Sequence, residues 1–166
     1  MQLSTDNFPK VVQPLFQIFH VDFQPPRQPS KGEVLLASLV AIVGSLVADW
    51  ALVQLGTRVF PATKGYQHFQ FSDYSKLTVI GVVIACIGWP VVTRISSTPR
   101  WLYCRMAIAV TVVLFAPDVF IWINGQPTDA VFVLMVMHLA IAVVTYYSLV
   151  VLAPTRRLRG QRPLAS

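Results

Sequence analysis

The stretch from Val34 to Leu55, VLLASLVAIVGSLVADWALVQL, is an apolar run of helical length with one charged residue, Asp49, well inside its far end. About 20 such residues at 1.5 Å each cross the hydrocarbon core of a bilayer. The run reads as the first of four membrane helices. A carboxylate inside such a segment is expensive and needs a partner, a wet cavity or a purpose, so Asp49 is the first residue to question.

Composition agrees with that reading. The chain has 166 residues, 55% of them hydrophobic and only 12% charged, with a mean hydropathy of +0.61. A soluble domain of ordinary makeup is excluded. Four helices of about 22 residues take up roughly half of such a chain and leave no room for a separate soluble catalytic domain. Any chemistry therefore belongs to the bundle or its rim.

Three further spans follow the first, at about 77–97, 101–123 and 130–153, giving an all-α, integral membrane four-helix bundle over 33–155. In the second, Gly81, Ala85 and Gly88 share one face at helical spacing, a small-residue stripe that would let another helix approach closely. Pro90 follows and frees the carbonyl of Cys86. The third begins with Arg105 near one end, able to snorkel to headgroups, and ends with Pro117 and Asp118. The fourth carries no formal charge, with Thr128 or Asp129 placed to cap its start and Pro154 to stop it. His138 lies on its polar face with Thr145, which should point at other helices.

The flanks are polar. Residues 1–32 place Val12, Phe16, Phe19 and Phe23 at helical spacing, as an interfacial segment or a disordered tail would, and continue into a Pro-rich linker, QPPRQPSKG. The acidic start and the Gln and Pro interruptions do not fit a cleaved signal peptide. Between the first two spans, the 57–76 connection is dense in aromatics, as at a membrane interface, and His68 in it reads as a solvated loop residue. The tail, 156–166, holds Arg156, Arg157, Arg159 and Arg162 directly after an apolar span. That pattern sets topology and attracts anionic headgroups, and with no recognition fold it does not argue for nucleic acid. Placing both termini in the cytoplasm puts ten Lys and Arg on that side and only Arg58, Lys64 and Lys76 on the other, so both ends are expected inside.

With this topology, Asp49, Asp118 and His138 fall ~9, ~8 and ~12 Å below the outer ends of their helices. Three helices thus carry two carboxylates and an imidazole at nearly one level, where unpaired charge costs up to about 2.5 to 3.5 kcal/mol. Mutual pairing is the expectation. Such a knot either ties the bundle together or forms a proton- or cation-responsive site.

Other chemistry is poorly supported. Cys86 and Cys104 sit ~12 Å apart in depth, beyond disulfide reach, and there is no CxxC. One intramembrane His does not make a haem site, and no zinc signature, P-loop, GxSxG or GxGxxG is found, so no metal or cofactor is expected.

The polar residue late in span one, the very short second loop and Met137-His138-Leu139 early in span four resemble a family of small four-span actinobacterial membrane proteins of unknown function. The resemblance covers about residues 33 to 153 and implies no activity. Three function classes stay open: a non-enzymatic scaffold or modulatory subunit, which leads, with lipid and either other membrane proteins or its own copies as partners; a small transporter or binding protein for a proton, cation or lipid-like ligand using Asp49, Asp118 and His138; and a membrane-embedded enzyme acting on a lipid.

Overall fold

The computed structural model describes residues 26–156, together with Pro9, Pro14 and Val21. Its four long helices are α1 (Lys31–Val59), α2 (Phe71–Ile95), α3 (Pro99–Ile123) and α4 (Thr128–Leu152), and each is long and apolar enough to cross a membrane. The fold is all-α, a four-helix bundle.

Consecutive helices are neighbours, and the most extensive contact closes the ring between α1 and α4. The cause lies in the opening stretch. Its buried face is Ala37, Ala41, Ser45, Asp49, Val53 and Gly56, mostly small side chains at every fourth position. Small residues let helix backbones come close, and dispersion between close backbones holds helices together where lipid removes the hydrophobic drive. A Cβ at Gly56 would lie 2.8 Å from Val133 Cγ2, and one at Gly44 would lie 3.0 Å from Val144 Cγ1, so α4 already fills that space.

The helices extend beyond the apolar runs that mark them. α1 starts at Lys31 rather than Val34 because Ser30 and Glu33 form a reciprocal capping box, with Glu33 N donating to Ser30 Oγ at 3.2 Å and Ser30 N to Glu33 Oε2 at 2.7 Å. α2 starts at Phe71, six residues before Leu77. The connection between α1 and α2 thereby shrinks to two short 3₁₀ turns, Pro61–Thr63 and Gln67–Phe69, joined through Gly65 at φ +84°. α4 starts with Thr128 inside the helix after Pro127, so neither Thr128 nor Asp129 is its cap; the Thr128 hydroxyl instead accepts from Trp122 Nε1 at 3.0 Å.

Two apolar clusters fill the bundle. Near the termini, Ala37, Ala41, Val82, Cys86, Trp89, Leu102, Tyr103 and Leu149 pack together; near the α1–α2 connection, Val53, Phe69, Tyr74, Ala130, Val133 and Met137 do. Between these clusters lie Ser45 and Asp49 on α1, Thr78 on α2 and Thr145 on α4.

At the termini end, the linker is folded onto the bundle rather than extended from it. Arg27 and Arg156 exchange backbone hydrogen bonds of 2.9 and 3.2 Å, and Gln28 donates to the Thr93 carbonyl at 2.8 Å while accepting from its hydroxyl at 2.7 Å. The Arg156 guanidinium, expected at headgroups, lies 3.5 Å from Glu33, and the Arg105 guanidinium sits 3.7 Å over the Trp101 ring. Arg157, Arg159 and Arg162, like Val12, Phe16, Phe19 and Phe23, lie outside the described residues.

Candidate functional site

The polar layer between the clusters is built from all four helices. α1 and α4 contribute Ser45 and Thr145, whose hydroxyl oxygens are 3.5 Å apart. Nearer the α1–α2 connection, α1 contributes Asp49, α2 Thr78, α3 Asp118 and α4 His138. Helical periodicity explains why they face inward: Asp49 continues the every-fourth stripe of Ala37, Ala41 and Ser45, and Thr78 lies between Tyr74 and Val82 on the buried face of α2.

Asp118 and His138 meet, with Asp118 Oδ2 3.1 Å from His138 Nδ1. The same nitrogen lies 3.0 Å from the Leu134 carbonyl oxygen. A lone pair facing two oxygens would be repelled by both, so the proton belongs on Nδ1. Its N–H satisfies the Leu134 carbonyl and leaves Asp118 Oδ2 close by but without a hydrogen bond, so the Asp118 contact is one of charge. Nε2 is then the position at which the imidazole gains or loses a proton. Asp118 is buried, the His138 side chain remains 26% exposed, and the Phe115 ring meets the imidazole edge-on.

Asp49 is not part of that contact. It has no exposed surface, and its Oδ2 accepts from Thr78 Oγ1 at 2.6 Å. Its Oδ1 has no hydrogen-bond partner among the described residues. The expectation that all three groups meet is therefore corrected: Asp118 and His138 pair directly, while Asp49 and His138 interact only through their electrostatic fields. Among the described residues, no three His, Cys, Asp or Glu side chains are grouped so as to hold a metal ion.

Sequence reasoning did not find Thr78 or Tyr66. Tyr66 sits between the two 3₁₀ turns, and its hydroxyl, like Asp49 Oδ1, is buried without a hydrogen-bond partner among the described residues. Burial, and after it the charge of Asp118, pushes the Tyr66 phenol up from its ordinary value near 10, so it stays protonated at physiological pH. The Tyr66 ring meets His68 edge-on at 5.3 Å, and His68 Nδ1 lies 3.0 Å from Asp73 Oδ2, both side chains about half exposed. The aromatic density of 57–76 marked the segment, but only the turn geometry aims one hydroxyl inward.

The expected packing face on α2 is also corrected. Gly81 is exposed, with nothing within 4 Å of a Cβ placed there, and a Cβ at Gly88 would meet only the Tyr103 ring at 3.9 Å. Ala85 matters through its backbone, since its carbonyl accepts from the Tyr103 hydroxyl at 3.1 Å. The missed signal was in the opening stretch, where Ala37, Ala41 and Ser45 repeat the small-residue spacing. The cysteines are free, Cys86 buried and Cys104 half-buried.

No curated protein and no solved structure matches the chain. A family model does match, over residues 25–158, which takes in all four helices, the polar layer and the paired backbone of Arg27 and Arg156. The chain belongs to that family, a family of unknown function (DUF6069).

Proposed function

We propose that this protein is a small multi-pass membrane protein whose working part is a protonation site in the polar layer, reached from the end carrying the α1–α2 connection. The observation that carries this reading is the buried contact between Asp118 and His138 with a second buried carboxylate, Asp49, in electrostatic range. With Asp118 ionised, His138 charged and Asp49 ionised, the layer holds one uncompensated negative charge. One added proton removes it. Uncompensated charge in a low-dielectric interior is costly, so proton uptake changes the energy of holding these helices together. A metal cation is a weaker reading, because the three side chains do not converge as ligands would.

We further propose that both termini are cytoplasmic, on the Lys and Arg asymmetry, so that the site opens to the outside. A second reading, a subunit of a larger membrane complex, is favoured by α3, the least enclosed helix, whose Ile108, Val110, Val112 and Val113 all face outward. Recovery of a stoichiometric partner after gentle detergent extraction would support it.

The test of the protonation site is pH-difference infrared spectroscopy of the protein in liposomes, since a protonated carboxylic acid has a C=O stretch distinct from that of a carboxylate. A carboxyl signal should appear on acidification between about pH 8 and pH 5, the range in which histidine normally titrates. Asp49→Asn or Asp118→Asn should remove or shift it. A spectrum that does not change with pH, or a change both substitutions leave intact, overturns the proposal.

A further inference from the structure

We infer that Arg27 and Arg156, held opposite each other at the termini end, form a binding site for the phosphate of an anionic phospholipid headgroup. This rests on the reading of the chain as a multi-pass membrane protein and is independent of its protonation site.

The backbone brings the two arginines together. Arg27 N donates to the Arg156 carbonyl at 2.9 Å and Arg156 N to the Arg27 carbonyl at 3.2 Å, an isolated antiparallel bridge. Residues that exchange both bonds in this way lie directly opposite, with Cα atoms about 5.5 Å apart and side chains on the same side of the ribbon. Gln28 anchors the bridge to α2, donating to the Thr93 carbonyl at 2.8 Å and accepting from the Thr93 hydroxyl at 2.7 Å. Two cations are thus fixed on one side of a short ribbon, where like charges directly opposite repel.

The protein compensates only part of that charge. Glu33 Oε1 lies 3.5 Å from Arg156 Nη2, a loose ion pair that leaves the arginine side chain 68% exposed. The other Glu33 oxygen accepts from Ser30 N at 2.7 Å in the capping box, which holds the carboxylate to the start of α1. Among the described residues Glu33 is the only acidic side chain at this end, whereas Lys31, Arg94 and Arg100 add exposed positive charge at the adjoining helix ends. The pair therefore keeps a net positive charge, and guanidinium groups match phosphate oxygens in geometry as well as in sign.

Position selects a lipid as the source of the phosphate. Arg27 lies four residues before Lys31, where α1 begins, and Arg156 four after Leu152, where α4 ends. Both helices are long and apolar enough to cross a bilayer, so the bridge lies where hydrocarbon gives way to headgroups. A headgroup phosphate there neutralises the facing charges and fastens the linker to the tail.

The experiment is hydrogen–deuterium exchange of the full-length protein in nanodiscs, read on the peptides that contain Arg27 and Arg156. Nanodiscs of phosphatidylcholine alone are compared with nanodiscs containing phosphatidylglycerol, and with phosphatidylcholine nanodiscs in inorganic phosphate. Phosphatidylglycerol should slow exchange at the bridge by at least about fivefold, the worth of one basic residue at an anionic surface. Arg27→Gln and Arg156→Gln should each abolish the slowing, since both keep the backbone bonds and remove only the charge. Arg58→Gln, an equal loss of charge at the end of α1 that joins α2, should match wild type. Glu33→Gln keeps a capping box and removes the competing carboxylate, so it should enlarge the slowing. Slowing that survives both substitutions in the pair is a general effect of the charged surface and overturns the site. Equal slowing by inorganic phosphate overturns the lipid as its occupant. A chain that does not enter nanodiscs overturns the membrane reading instead.

Discussion

At the scale of single residues, the buried pair makes a thermodynamic claim. Removing one member strands the other in low dielectric, whereas removing both leaves nothing to strand. Asp118→Asn and His138→Leu should each lower unfolding stability in detergent by about 1–3 kcal/mol, toward the low side for the imidazole because part of it reaches solvent. The double variant should recover part of the loss, giving a coupling of about 0.5–3 kcal/mol. Strictly additive losses would show that the 3.1 Å approach carries no energy. The types and depths of Asp49, Asp118 and His138 were legible in the chain, because charge and distance from a helix end are local properties. Their partners were not: Thr78, an ordinary hydroxyl on another helix, takes Asp49 at 2.6 Å and leaves His138 to Asp118.

At the scale of elements, the α1–α4 contact depends on small side chains on α1. Gly56→Val places new atoms where Val133 already sits, 2.8 Å from a Cβ, and overpacking of that kind costs about 1–3 kcal/mol. Gly81→Leu meets open space and should unfold within error of wild type. Thermal or denaturant unfolding of the two variants side by side checks both, and a destabilised Gly81→Leu beside an intact Gly56→Val would reverse the assignment of the packing face. Both helices carry small residues at helical spacing, so the pattern alone does not choose between them. What chooses is the rotation of each helix about its axis, which is fixed by neighbours.

At the scale of the whole molecule, the bundle is closed differently at its two ends. One end is covered by the 3₁₀ turns that bear Tyr66, and the other is tied by backbone pairing of Arg27 with Arg156 and by Gln28 on Thr93. A site reached from outside requires the first end to face out. In intact cells, a membrane-impermeant amine reagent should modify Lys64 in the connection, and a cysteine introduced in the basic tail should resist an impermeant thiol reagent. Labelling of the tail with a silent connection would place the site on the cytoplasmic side.

The sequence by itself determined that the chain makes four long apolar helices, about where they lie, and that two carboxylates and an imidazole sit inside them, because hydropathy, length and helical rise are summed along the chain without reference to any neighbour. The helix ends already escaped it by up to six residues, since the capping box at Ser30 and the early start of α2 at Phe71 extend helices past their apolar runs. Only the tertiary structure decided that Asp118 rather than Asp49 meets His138, that α1 rather than α2 supplies the close-packing face, and that Tyr66 is turned inward. Each of these depends on the order and rotation of packed helices. A rotation of one residue about a helix axis, about 100°, exchanges a buried face for a lipid-facing one while leaving composition and hydropathy unchanged.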